Sequence, residues 1–234
     1  MKVVVINGKE IKGCTYNLKQ MFLEELKPEE VVEYYLPKDA PDFCKGCKTC
    51  FMKGEHLCQH YEKVNRIWES MLDADLIVFA YPVYVLRTPG HVKTLLDHFG
   101  VHWCAHRLEP KMFSKSAAII TQSIGAPNRQ AQKDVKTSLN WLGISHVKCI
   151  GFGMMEGVIW NEISLKRRNK FRKRIAKFAS KFKNLKPRKL RMPSKLYFKL
   201  CKMMQNGLLK KTPDDEDLSL DVKHWIKNGW IKRK

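Results

Sequence analysis

No stretch of this sequence is apolar enough to cross a membrane. The longest run without a charged or small polar residue is Leu76 to Leu86, 11 residues, where a spanning helix needs about 20. A secretory leader is not expected either. Lys2 leads into Val3-Val4-Val5-Ile6, polar residues return by Asn7, and no cleavage segment follows. The expected compartment is therefore a reducing cytoplasm, and the eight cysteines do not read as an extracellular disulfide scaffold. The first loop carries neither G-x-G-x-x-G nor a Walker A pattern, so a pyrophosphate cradle is not expected there. Internal repeats and low-complexity stretches are absent.

Acidic residues are scarce in one region. Residues 1–160 hold 20 Lys and Arg against 17 Asp and Glu, whereas 161–212 hold 19 against one. The net charge of +21 thus describes a near-neutral body with a basic extension. It bears on the partners of that extension and little on the chemistry of the body. We divide the chain accordingly into a domain over 1–155 and a basic helical extension over 156–234.

Five apolar strands alternate with four helical patterns in the first 150 or so residues. The strands are Lys2–Asn7, Val31–Leu36, Leu76–Ala80, Lys115–Thr121 and Val147–Phe152. Several are apolar on both faces, as parallel strands covered on both sides must be. The pattern predicts an α/β fold: a doubly wound, five-stranded parallel sheet with a basic helical C-terminal extension. Such sheets bind ligands beyond the strand C-terminal ends, so the loops after strands one, three and four carry the functional information. In the extension, Phe171, Ile175, Phe178 and Phe182 form one helical stripe, and Pro187 and Pro193 break the chain beyond it. A second helix is predicted from Ser194 to Gln205, ended by Gly207, and a helix start at Thr212-Pro213-Asp214-Asp215.

The loop Gly8 to Thr15 precedes a helix, whose N-terminal N–H groups suit a single terminal phosphate. Lys9 and Lys12 add charge, and Thr15 can cap the helix or donate to a phosphate oxygen. Cys14 is either a small filler or a thiol with a pKa lowered by the helix terminus. The cysteines Cys44-x2-Cys47-x2-Cys50-x7-Cys58 are grouped tightly. This spacing suits a [4Fe–4S] centre, with zinc and free or redox-active thiols as alternatives. His98-x3-His102-x3-His106 could line one helix face, but ordinary polar roles are the stronger reading.

The motifs together resemble the flavodoxin-like NADPH-dependent FMN reductase family, in particular its iron–sulfur flavoprotein branch. Asn7-Gly8 and Gly13-Cys14-Thr15 stand for the family's Asn-Gly-Ser-Pro-Arg and Gly-Asn-Thr; the glycines and Thr15 match, while Lys9-Glu10-Ile11 depart from it. Tyr81-Pro82-Val83-Tyr84 stands for Ser-Pro-Val-Tyr, Val92 to Phe99 for the helix that follows, and Thr121-Gln122-Ser123-Ile124-Gly125 for the third loop. The resemblance implies a flavin oxidoreductase with FMN as cofactor and NAD(P)H as co-substrate. It implies FMN contacts from Lys9, Gly13, Cys14, Thr15, Tyr16, Pro82, Val83, Tyr84, Val85, Thr121, Ser123, Ile124 and Gly125. It also implies a [4Fe–4S] cluster on Cys44, Cys47, Cys50 and Cys58, although the acidic pair usual after the fourth cysteine is Glu62-Lys63 here. The expected partners are a nicotinamide or redox-protein donor and a second copy of the chain. For the basic extension, packing on the body leads, followed by peripheral contact with an anionic membrane; nucleic acid is disfavoured because no recognition motif accompanies the charge.

Overall fold

The computed structural model describes residues 1–155, 159–185 and 190–233. Its centre is one parallel sheet of β1 (Lys2–Asn7), β2 (Glu30–Tyr35), β3 (Leu76–Pro82), β4 (Ser116–Ser123) and β5 (His146–Gly153). The strand order is β2-β1-β3-β4-β5, the flavodoxin-like doubly wound arrangement that the sequence predicts. β3 is central, and all seven of its residues are buried.

The helices are α1 (Cys14–Leu26), α2 (Thr49–Met52), α3 (Tyr61–Asp73), α4 (Gly90–His98), α5 (Arg129–Trp141), α6 (Leu165–Ala179), α7 (Ser194–Lys211) and α8 (Leu220–Lys227). Strand side chains alternate between two cores. Val4, Ile6, Ile77, Phe79 and Ile119 face α3, α4 and α5. Val3, Val5, Val78, Ala118 and Ile120 face α1 and α6. Among the described residues no helix is long and apolar enough to cross a membrane.

The aromatic stripe of the extension belongs to this second core. Phe171, Ile175, Phe178 and Phe182 are all buried. The Phe22 ring of α1 meets Phe178 at 5.5 Å and Phe182 at 5.7 Å between centroids, and Phe171 meets Phe152 of β5 at 5.1 Å. The stripe therefore packs on the body, and it is not the surface that meets a membrane or nucleic acid. A third cluster joins α7 and α8 to the segment after α4, through Cys104, Leu108, Cys201, Leu209 and Trp225.

Two expectations in the extension are corrected. Gly207 does not end its helix: α7 continues to Lys211, because Gln205 and Leu209 keep its inner face buried. No helix starts at Thr212 to Asp215. The next one starts at Leu220, where the Ser219 hydroxyl caps it by accepting from the Val222 N–H. The predicted break at Pro187 lies outside the described residues.

The second core rests on the aromatics of α6 and on Phe182, which lies in the turn after α6 ends at Ala179 and not on the helix itself. Replacing Phe182 by Ala should lower unfolding free energy by about 3–5 kcal/mol, the usual cost of emptying a buried aromatic site. Denaturant titration of the full chain checks this; a loss below about 1 kcal/mol would show that the aromatic packing of the extension is dispensable to the core.

Candidate functional site

Parallel strands send all their C-terminal ends to one edge, where the loops after β1, β3 and β4 meet. The first of these is built around Gly8. A Cβ there would stand 2.4 Å from Tyr81 Cβ and 2.9 Å from Val92 Cγ2, so only glycine lets β1 pass this close to β3 and α4. His91 Nε2 lies 2.8 Å from the Gly8 carbonyl oxygen and therefore donates to it, tying the start of α4 to the loop. Asn17 N–H bonds back to the Gly13 carbonyl. The N–H groups of Thr15 and Tyr16 precede that first helical bond and face the loop. A Cβ on Gly13 would meet nothing within 4 Å, which leaves open space beside them. Lys9 is half-buried here and Tyr16 packs under Lys19, whose Nζ is 4.3 Å from its ring centroid.

Beneath the loop lies a buried ion pair absent from the sequence reading. Lys19 has no exposed surface, and its Nζ donates to Glu33 Oε2 at 2.7 Å. Asn7 Nδ2 and the Tyr35 hydroxyl donate to the same oxygen at 2.9 and 2.8 Å. Burial alone would raise the Glu33 carboxyl, but these donors outweigh it and hold the group below its usual range. Burial pushes the Lys19 amine down despite its partner. Cys14 differs from one expectation: burial raises its thiol instead of the helix terminus lowering it. It is a packed side chain of the second core.

The loop after β3 is a tight two-residue turn. Tyr84 and Arg87 exchange both backbone hydrogen bonds, at 3.0 and 2.9 Å. Val85 and Leu86 between them have φ of 49° and 63°, a left-handed backbone that a β-branched residue rarely adopts. The turn is held from behind: Arg87 makes a bidentate pair with Asp134 of α5 at 2.6 and 3.0 Å, and Thr88 Oγ1 donates to the Ala131 carbonyl. Pro82 is buried, Val83 half-buried, and Val85 is 95% exposed at the tip. Strained backbone and exposed apolar side chains thus coincide in one turn.

The loop after β4 completes the edge. Thr121 is fully buried and its hydroxyl accepts from Gln132 Nε2 at 2.7 Å. Ser123 is buried too, its hydroxyl donating to the Ala126 carbonyl and accepting from Asn128 Nδ2. Both shape the loop from within. Ile124 and Gly125 are exposed, and Gly125 takes φ 73°. Met155, which the sequence reading missed, is 81% exposed and abuts Gly125. Asn128 Oδ1 is buried with no hydrogen-bond partner. Tyr84, Val85, Leu86, Ile124 and Met155 thus form an apolar rim beside backbone and amide groups with unused polar capacity. That combination fits the flat face and polar edge of a flavin ring, and the Gly8 to Tyr16 loop fits its phosphate.

The cysteine segment follows β2. Cys44, Cys47, Cys50 and Cys58 line one cavity of about 90 Å³, whose other walls include Tyr61, Val64, His98, Val101 and His102. Burial raises the Cys50 thiol, and the Cys58, Cys44 and Cys47 thiols beside it act in the same direction. Cys47 is lowered by hydrogen bonds with Thr49. Lys45 and Lys48 also line the cavity. Among the described residues, no three His, Cys, Asp or Glu side chains are gathered tightly enough to hold a metal ion. The donor set fits an iron–sulfur centre in kind and in sharing one cavity. None of the residues lining the cavity belongs to the three edge loops.

The histidines do not share a helical face. α4 ends at His98, His102 closes a separate 3-10 turn, and His106 pairs with Asp221 at 2.7 Å. Arg107 is the residue that organises this region. Its buried guanidinium donates to the carbonyls of Cys50 and Phe51, to Glu55 at 3.2 Å, and to Asp221 of α8 at 2.5 Å.

Residues 1–157 match the family described as NADPH-dependent FMN reductase. The chain belongs to that family. Membership makes it a flavin oxidoreductase with FMN as its flavin and NAD(P)H as electron donor. An iron–sulfur flavoprotein of Archaeoglobus fulgidus is 26% identical over 187 residues, covering 78% of this chain and 83% of the relative. One from Methanosarcina thermophila is 26% identical over 170 residues, covering 69% and 83%. Among solved structures, an azoreductase from Bacillus anthracis aligns with a TM-score of 0.60 at 19% identity, over 78% of this chain and all of its own. An NAD(P)H:quinone oxidoreductase from Methanothermobacter marburgensis aligns with a TM-score of 0.60 at 13% identity, over 79% and 98%. These two share the fold.

The close approach at Gly8 makes Gly8→Ala a direct test of the first loop. Overpacking against Tyr81 should cost about 1–3 kcal/mol and weaken FMN retention. Flavin content after gel filtration checks it, and wild-type retention would show that the loop does not set the flavin site.

The cavity wall has its own pH signature. Burial pushes the His102 imidazole, stacked on Trp68 at 4.0 Å, down to about 4. The unfolded state then binds the extra proton between that value and its own pKa of about 6.5. Stability is full above about pH 6.5 and falls as pH drops toward 4, by up to about 3 kcal/mol from this group. His102→Phe should flatten that part of the stability profile in denaturant titrations run across the range; an unchanged slope would rule His102 out as its source.

Proposed function

We propose that this chain is an FMN-dependent NAD(P)H oxidoreductase whose cysteine segment holds a [4Fe–4S] cluster on Cys44, Cys47, Cys50 and Cys58. The cluster would pass electrons to an acceptor such as a quinone, a free flavin, a second redox protein or oxygen. The observation that carries this reading is that all four thiols line a single cavity with lysines at its margin. Thiolates crowded this way repel one another unless a positive centre or protons neutralise them. The names of the iron–sulfur flavoprotein relatives support it, with 83% of each covered. We assign flavin binding to the edge loops of residues 1–155. The N–H groups of Thr15 and Tyr16 with Lys9 would hold the phosphate. The rim from Tyr84 to Leu86, with Ile124 and Gly125, would cover the ring and exclude water. Thr121 and Ser123 would set the backbone of the third loop. When bound, FMN supplies hydride acceptance and single-electron release. The chain's contribution is position: the strained β3 turn, the Gly8 contact and the Arg107 bonds to Cys50 and Phe51. We further propose that the chain works as a homo-oligomer.

A second reading keeps the flavin and leaves the cysteines as redox-active thiols. It is favoured by the absence, among the described residues, of three side chains gathered for a metal.

Protein made without oxygen should contain about four iron and four sulfide per chain if the cluster forms. Cys→Ser at any of the four positions should lower that content, whereas Cys149→Ser should not. Mass spectrometry of the released chromophore should show FMN. Iron below about one per chain after anaerobic reconstitution, with FMN bound, would select the thiol reading; FAD as the chromophore would overturn the flavin assignment.

A further inference from the structure

The burial of the Phe171 to Phe182 stripe shifts attention to α7, a helix that is apolar on two sides. Its inner side carries Cys201, Gln205 and Leu209, all buried. A second stripe faces outward: Leu196, Leu200, Met203, Met204 and Leu208 are 42%, 52%, 64%, 45% and 44% exposed. Their successive spacings of four, three, one and four residues keep them in one band along a helix about 27 Å long. Met192, just before the helix, is exposed as well.

The charge carried by α7 itself has one sign. Lys195, Lys199, Lys202, Lys210 and Lys211 are exposed, and no Asp or Glu occurs between Leu190 and Lys211. Lys195, Lys199 and Lys202 follow one another along the helix at helical spacing, so they flank the stripe as a row. The acidic run Asp214 to Asp217 begins only beyond the C-terminal end, so the whole length of α7 is free of negative charge.

We propose that α7 docks lengthwise on an anionic lipid bilayer. The leucine and methionine side chains enter the boundary between headgroups and acyl chains, and the lysine row meets the lipid phosphates and carboxylates. Charge complementarity selects this occupant. A second copy packed on α7 would offer the lysines no acidic side chain of its own α7, since that helix carries none. A nucleic acid would pair with the lysines but leave five large apolar side chains in water. A lipid surface accepts both features together, and methionine adapts to an irregular apolar surface. Docking would bring the oxidoreductase to the membrane face, where apolar electron acceptors dissolve.

The test is vesicle flotation of the full FMN-loaded chain. Binding should favour phosphatidylcholine vesicles containing about 30% phosphatidylserine over phosphatidylcholine alone by about tenfold or more, and weaken steeply between about 0.05 and 0.3 M salt. Leu200→Glu with Met203→Glu should reduce binding about tenfold while flavin content and circular dichroism stay unchanged. If that pair disturbs folding, Leu200→Ser with Met203→Ser gives the same reading. Replacing Lys195, Lys199 and Lys202 by Gln should abolish the phosphatidylserine preference. Three results would overturn the proposal. One is no flotation of the wild-type chain. Another is flotation unaffected by folded stripe variants. The third is that the stripe variants abolish a concentration-dependent dimer while the wild type ignores vesicles. Duplex-DNA binding that depends on the lysines alone, without flotation, would assign the charge to nucleic acid and also overturn it.

Discussion

A parallel sheet has no face it can leave in water, because its strands are apolar on both sides and its crossovers must cover them. β3 shows the constraint most plainly, with all seven residues buried. On one side three helices cover the sheet. On the other, α1 is joined by α6, which comes from the basic extension. Phe22 of α1 lies within 6 Å, centroid to centroid, of both Phe178 and Phe182. The remaining faces of α6 point to solvent and are therefore free to be Lys and Arg. Much of the excess positive charge is thus the solvated back of a core helix.

The same parallel arrangement gathers the chemistry. Every strand ends at one edge, so the loops after β1, β3 and β4 converge there although more than a hundred residues separate the first from the last. Each loop meets a demand on the backbone. Gly8 allows strand, turn and α4 to pass in contact. Val85 and Leu86 are held left-handed by hydrogen bonds across the turn and by Arg87 and Asp134 behind it. Thr121 and Ser123 spend their hydroxyls inside the loop. What remains exposed at the rim is apolar, and what remains polar is largely backbone.

Arg107 links the far end of the chain to the cysteine segment. A buried guanidinium needs acceptors on all sides, and it finds them in the carbonyls of Cys50 and Phe51, in Glu55 and in Asp221. His106 adds a second bond to Asp221, and Trp225 Nε1 donates to the His106 carbonyl. The terminal helix α8 therefore buttresses the segment that carries Cys50, which fixes one wall of the thiol cavity.

Local pattern was enough to reveal the strands, most helices and the loops that matter. Apolar runs such as Leu76 to Ala80 and the spacing of Phe171 to Phe182 record which sides of an element must be buried. The cysteine spacing likewise marked a site, and the Asn7-Gly8 and Tyr81 to Tyr84 stretches carried the family resemblance. Other features depended on surfaces distant in sequence. Gly207 reads as a helix stop until Leu209 is seen to pack against the segment after α4. The α7 sequence predicts a helix, but only the packed structure shows that Leu196, Leu200, Met203, Met204 and Leu208 lie on its exposed side. Lys19 looks like one more surface lysine, yet it is fully buried because Glu33, a β2 residue 14 positions away, accepts its charge. His98 and His102 reach the cysteine cavity only because α4 and the turn after it pack beside that segment. Periodicity encodes that a face is buried; the partner that buries it is chosen by packing across the whole chain.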